Sequence, residues 1–183
     1  MINIVLDIIN YILVAILIGV SATWIALIKS MLKTFHESPF LDKFEKKEHE
    51  KPKVSIILPA RNEEKFIEKC LDSLIKQDYD NYEIVTINDS SNDATGDIIK
   101  KYSKKFPKVI SVDAKPKPDG WIGKNWACIE GYKKASGDLL LFTDADTVHT
   151  SSVISLAVSH LLSLELDALT VIPRMLCLDK ITK

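Results

Sequence analysis

Glycine is scarce in this chain and builds no phosphate cradle. Only six of the 183 residues are Gly. None of them forms Gly-x-Gly-x-x-Gly or Gly-x-x-x-x-Gly-Lys-Ser/Thr. That argues against a dinucleotide oxidoreductase and against a P-loop enzyme. Cysteine is scarcer still. Cys70, Cys128 and Cys177 are odd in number and far apart, with no Cys-x-x-Cys among them. They suit a reducing compartment and argue against a disulfide scaffold or a zinc site. No excess of either charge exists: the net charge is −1. Without a strongly basic face, nucleic acid is not an expected partner. Internal repeats and low-complexity tracts are also missing.

What is present is unevenly spread. Apolar residues make up 46% of the chain and charged residues 27%, a globular balance. Yet from Ile8 to Ile28 no side chain is charged. As a helix this run spans roughly 31 Å, about one bilayer core. A buried core helix would need apolar partners on every side. A signal peptide would show a basic n-region, and here Asp7 precedes the run with no Lys or Arg. The expectation is a single-pass anchor over 1–30, with Tyr11 and Trp24 near the two interfaces. Lys29, Lys33 and the lysines from Lys43 onward follow the run, which places the bulk of the protein in the cytoplasm by the positive-inside tendency. Residues 31–52, of mixed charge, form a juxtamembrane linker that ends at Pro52.

Beyond Pro52 the pattern alternates. Strand-length β-branched or apolar runs fall at 54–58, 82–88, 109–112, 138–144 and 167–172. Helical spacing falls between them, at 64–77, 91–106, 124–136 and 151–164. Asn62 is a candidate N-cap for the first of these helices. Gly137 is a candidate C-cap for the third. Nearly uninterrupted apolar strands alternating with helices predict an α/β domain: a mostly parallel sheet covered by helices on both faces. Ligands of such sheets bind beyond the carboxyl ends of the strands.

Those strand ends are polar: "PARNEE" at 59–64, "NDSSND" at 88–93, "DAKPKPDGWIGKN" at 113–125 and "DADT" at 144–147. In an extended segment, residues i and i+2 point the same way. Asp144 and Asp146 would then face one small volume, roughly 6–7 Å apart. Two such charges repel by about 2.5 kcal/mol at an effective dielectric near 20, and Asp89 adds to the repulsion. Either one acid protonates or a cation sits between them. A hard divalent ion, Mg²⁺ or Mn²⁺, keeps positions open for phosphate oxygens. Without a glycine cradle, a diphosphate site needs that metal, plus cations that Arg61 and Lys124 can supply. The plain alternative is that the acids only cap a strand and start a turn.

Taken in order, "VSIILPARNEE", "VTINDSSNDAT" and "GWIGKNWACIEGYKKASGDLLLFTDADT" resemble a family 2 glycosyltransferase of the GT-A fold, over about residues 54–172. The third stretch is similar to the branch associated with hopanoid and carotenoid glycosylation. The resemblance implies a nucleotide-sugar donor, a UDP-sugar by preference. It implies transfer of the sugar, with inversion, and the expected anchor suggests a lipid or lipid-linked acceptor at the cytoplasmic face. Position by position, Pro59, Ala60, Arg61 and Glu63 fall in the family's first nucleotide-contact segment, with Glu63 near the base or ribose. Asp89 matches the acid that bonds the uracil edge. The family often has two acids there, and Asn88 takes the place of one. Lys124 stands where a basic residue meets the nucleotide. Asp144 and Asp146 match the Asp-x-Asp: Asp146 as metal ligand, Asp144 at the ribose or in the metal shell.

"DADTV" also resembles the nucleophile motif of haloacid-dehalogenase-like phosphatases, although there the motif follows the first strand. A non-catalytic nucleotide-sugar-binding module is the other rival. His149 is a possible metal ligand but reads better as a polar loop residue. Trp121 or Trp126 either lines the sugar or acceptor side or packs helix against sheet. In enzymes of the resembled kind, the acceptor pocket and general base follow the nucleotide-binding half. Residues 53–183 are therefore expected to be that first half only, incomplete at the C-terminus and inefficient in transfer alone. Glu165, Asp167 and Asp179 are the acids beyond Asp146. The first two are expected at the opposite end of the sheet.

Overall fold

The computed structural model describes residues 2–37, 41 and 51–173. The chain divides into two compact units, Met1–Lys43 and Phe44–Lys183.

The first unit is dominated by α1, Ile2–Glu37. Its stretch Ile4–Thr34 is long and apolar enough to cross a membrane, and none of it is buried within the protein. Apolar side chains project all round, Leu17, Ile18 and Trp24 among them, as a helix does when lipid rather than protein surrounds it. The Thr23 hydroxyl donates back to the Gly19 carbonyl at 2.9 Å, so this polar group is satisfied inside the helix. The helix continues past residue 30, where the anchor was expected to end. Residues 38–40 and 42–50 of the expected linker lie outside the described residues.

The second unit is built on four parallel strands: β1 Val54–Ala60, β2 Tyr82–Asn88, β3 Val109–Asp113 and β4 Leu139–Phe142. Their spatial order is β3-β2-β1-β4. Val54 to Ala60 register against Tyr82 to Asn88, and Val54 to Ile57 against Leu139 to Phe142. Alternate residues serve opposite faces. Ile56 and Leu58 of β1 join a core with α2 (Ile67–Leu74), α3 (Thr95–Lys105) and α5 (Val153–Ser163). Ile57, Val85 and Ile87 face the other way, against Ala127 of α4 (Gly123–Tyr132). Both faces are covered, as the unbroken apolar strands require. In α2 the buried residues Ile67, Cys70, Leu71 and Leu74 keep helical spacing. Gly131 lets α4 lie tight on the sheet, since a Cβ there would stand 2.5 Å from Ile87 Cδ1 and 2.9 Å from Ile57 Cγ2.

Three sequence expectations are corrected. Residues 167–172 form no strand, and Ile172 is 86% exposed. β-propensity describes fitness for a half-buried pleated surface, and a strand exists only where a partner takes its backbone hydrogen bonds. Asn62 does not cap α2, whose N-cap is Phe66. Gly137 lies beyond the end of α4 and caps nothing. A Cβ on it would meet Ser55 N at 2.6 Å and the Lys53 carbonyl at 2.7 Å. Its glycine is demanded by the backbone of β1, not by a helix end.

Candidate functional site

The sheet reverses direction once. From β1 the chain builds outward through β2 to β3, then crosses α4 to place β4 on the other side of β1. Such a switch point opens a crevice at the carboxyl ends of the two strands that part. A cleft of about 380 Å³ lies there, lined by Pro59, Ala60, Arg61, Glu63, Asp89, Gly123, Lys124, Ala127, Asp144, Ala145 and Asp146. The eight residues expected to meet nucleotide-sugar or metal all border this one cavity; His149, Trp121 and Trp126 do not. Gly123, Ala127 and Ala145 were missed; they are chemically mute and matter only by leaving space.

Two loops of the rim are stitched together. The Asn62 N–H donates to Ser91 Oγ at 3.1 Å, and the Asn92 N–H to Asn62 Oδ1 at 2.9 Å. The Glu63 N–H donates to Thr95 Oγ1 at 2.8 Å, and the Asp89 N–H to the Ala60 carbonyl at 2.9 Å. Asn62 (φ 57°) and Ser90 (φ 54°) both sit in the left-handed region. Asn tolerates that conformation and Ser does so at some cost. Strain of this kind collects where a loop must hold one shape.

The acidic pair is arranged differently from the expected extended geometry. β4 ends at Phe142, and the Thr147 N–H bonds the Asp144 carbonyl at 3.2 Å, closing a turn. Ala145 is buried in the core between two exposed acids. It is this turn, pinned by Ala145, that presents both carboxylates to the cleft. From beneath, Cys70 Sγ approaches the Asp144 carbonyl at 3.7 Å. Gln77 Nε2 donates to the Thr150 carbonyl at 2.8 Å. His149 turns away from the cleft, with Nε2 3.0 Å from Thr143 Oγ1, and burial lowers its pKa. That arrangement favours its reading as a loop residue.

Charges in the cleft do not balance. Arg61 Nη1 lies 3.8 Å from Asp89 Oδ2, and Lys124 Nζ 2.6 Å from Asp144 Oδ1. The hydrogen bond to Asp144 raises the Lys124 pKa. Among the described residues nothing bonds or pairs with the carboxylates of Glu63 and Asp146. Burial raises the Glu63 pKa, helped by the charges of Asp146, Asp93 and Asp144. Four acids thus face two cations, an excess that suits one divalent cation. The described residues contain no cluster of three or more His, Cys, Asp or Glu able to hold an ion alone. One or two carboxylates open to solvent are the donor set of a Mg²⁺-type ion completed by substrate phosphates, so the residues fit that group.

A parallel half-sheet with an acidic switch-point cleft and no glycine cradle defines the nucleotide-binding half of a GT-A fold. The chain belongs to glycosyl transferase family 2, whose sequence model matches residues 55–175. It is 34% identical over 140 residues to the probable glycosyltransferase YdaM of Bacillus subtilis, a match covering 70% of this chain and 33% of YdaM. It is 40% identical over 93 residues to the 4,4'-diaponeurosporenoate glycosyltransferase of Staphylococcus haemolyticus, covering 51% of this chain and 24% of that one. Among solved structures, S. aureus TarS 1–349 in complex with UDP superposes with a TM-score of 0.52 at 31% identity, over 61% of this chain and 32% of TarS. The mannosyltransferase PcManGT of Pyrobaculum calidifontis, in complex with GDP-Man and Mn²⁺, shares the fold at TM-score 0.58 and 23% identity, over 74% and 39% of the two chains. The chain therefore spans about a third or less of the length of these curated relatives. Family membership disposes of the phosphatase alternative.

Proposed function

We propose that the chain is the donor-binding half of a membrane-anchored glycosyltransferase that uses a UDP-sugar with Mg²⁺ or Mn²⁺. The observation that carries this reading is the unbalanced cleft at the switch point: four carboxylates, two cations, and no glycine loop to hold phosphate. Asp146, with Asp144 beside it, would hold the ion, which when bound supplies charge neutralisation at the leaving diphosphate. Asp89, only 14% exposed and steadied by Arg61, is the acceptor for the uracil edge. Glu63, on the stitched loop, borders the base and ribose, with Pro59 and Ala60 as the floor. Lys124 exchanges Asp144 for phosphate oxygens as the nucleotide enters. UDP in the TarS complex supports the choice of base.

Displacement with inversion at the anomeric carbon needs positioning and one base for the acceptor proton, not a protein nucleophile. All four cleft carboxylates are assigned to nucleotide and metal, so none of them is left to serve as that base. Glu165 and Asp167 do not line the cleft. The acceptor is a lipid or lipid-linked molecule, in keeping with the membrane-length helix and with the named substrate of the diaponeurosporenoate relative. The lysines after Ile28 support a cytoplasmic domain by the positive-inside tendency, and protease added to sealed cells should then leave it intact.

Calorimetry of UDP binding with Mn²⁺ and then with EDTA tests the reading. Equal affinity in both removes the metal. Asp89→Ala should weaken binding in either condition, and normal binding by that variant would refute its assignment to the base.

A further inference from the structure

Several large apolar side chains of the second unit are exposed, Phe142 and Val148 among them, and two stand next to each other in the loop between β3 and α4. Trp121 is 42% exposed and Ile122 is 70% exposed. The loop is built to hold them there. The Trp121 N–H closes a turn onto the Pro118 carbonyl at 3.4 Å. Behind the turn, Trp126 Nε1 donates to the Lys115 carbonyl at 2.8 Å, and the Trp126 ring meets Trp121 edge-on at 5.4 Å. Lys133 Nζ caps the Trp126 ring at 4.8 Å. One tryptophan thus ties down both ends of the loop while the other stays out. A slack loop would fold Trp121 and Ile122 away from water.

Two exposed lysines, Lys115 and Lys117, precede this tip, while Lys124 after it is held by Asp144 in the cleft. The nearby acids are largely answered. Asp113 takes Lys100 at 3.7 Å and Asn88 at 3.0 Å, and Glu130 takes Lys133 at 2.7 Å. Asp119 is the exception. An aromatic and an aliphatic residue at a preorganised tip, with two lysines leading into it, have the chemistry of a bilayer interface. The apolar pair enters the headgroup boundary while the lysines stay among anionic headgroups.

We propose that the 115–122 loop docks on an anionic membrane surface, seating the domain with its cleft at the lipid boundary. This rests on the membrane-anchored reading above, because a chain tethered by α1 meets the bilayer at high effective concentration and a weak second contact then suffices. The loop runs directly into Gly123 and Lys124, which line the cleft. Docking it would bring the donor to the depth at which a lipid acceptor presents its polar end.

The test is hydrogen–deuterium exchange on the full chain in nanodiscs of phosphatidylcholine, with and without phosphatidylglycerol, and in detergent micelles. Amides of 119–122 should exchange several-fold more slowly on the anionic discs alone. Ile122→Asp should abolish the slowing and Ile122→Leu restore it. Lys115→Glu with Lys117→Glu should weaken docking by roughly fivefold or more per lysine. Equal exchange on anionic discs and micelles overturns the proposal. Slowing that follows UDP and Mn²⁺ irrespective of lipid also overturns it, and makes the loop a cover for the cleft. Recovery of the chain with the disc after carbonate washing reads the anchor separately. If the chain washes off, the anchor fails. The loop is then read against added vesicles of the same lipids, where slowing is still required.

Discussion

The two ends of the sheet treat a glutamate in opposite ways. At the amino end, Glu83 is 7% exposed and fully answered. It takes Lys53 Nζ at 2.6 Å, Ser55 Oγ at 2.6 Å, and both the N–H and hydroxyl of Ser136 at 2.8 to 3.0 Å. Burial pushes its pKa up, but the bonds from Lys53, Ser55 and Ser136 outweigh it and bring the value down to about 2. At the carboxyl end, Glu63 has burial and three acids around it, and its pKa is raised. A charge whose bonds are all made inside the protein is structural. A charge left unanswered on a braced rim is available to a ligand.

The largest effects should come from breaking the satisfied end. Glu83→Ala leaves Lys53, Ser55 and Ser136 without their shared partner. It should cost about 2–4 kcal/mol of stability, with Lys53 keeping some contact with water. Denaturant midpoints check this, and UDP binding by whatever remains folded should be normal. Gly137→Ala forces a Cβ against the start of β1 and should cost about 2 kcal/mol by the same measurement.

Changes at the unsatisfied end should barely touch folding. Asp146→Asn should leave the melting temperature nearly unchanged while reducing Mn²⁺-dependent UDP affinity by roughly tenfold or more. A fall in stability as large as that of Glu83→Ala would erase the distinction drawn between the ends.

The smallest effect belongs to Glu63, whose pH dependence has the opposite sign to that of Glu83. Glu83 has a folded pKa below its unfolded value, so its contribution is complete above about pH 4.5 and is lost as pH falls toward 2. Glu63 has the opposite sign. Its charged form is penalised in the fold, and that penalty is relieved as pH falls through its raised pKa. Glu63→Gln should therefore stabilise the metal-free protein at neutral pH by a few tenths of a kcal/mol. The gain should disappear at low pH, as melting curves across the range would record.

The same contrast governs what could be read from the sequence. Residues of the acidic rim were legible because a parallel sheet delivers its strand ends to one edge, whatever the packing between. The four strands and the stripe of α2 were legible from periodicity. The Glu83 network was not, since its members are brought together over sequence separations of 28 and 53 residues and nothing around Glu83 marks it as their shared partner. Propensity also misjudged 167–172, which has the composition of a strand but no partner among the described residues. Asn62 has the chemistry of a cap, yet its side chain accepts from Asn92 in a neighbouring loop. The two aspartates were placed in the right cavity by the wrong local geometry, because a turn and a strand can aim the same pair at the same volume.

Gly131 gives the cleft an adjusting screw. The glycine sets how closely α4 lies on Ile57 and Ile87, and the same rigid helix carries Gly123 and Lys124 into the cleft roughly 12 Å away. A single methyl at its far end would tilt that wall without altering any group that meets a nucleotide. Selection for a larger or smaller donor could therefore act through a position that no comparison of binding residues would flag.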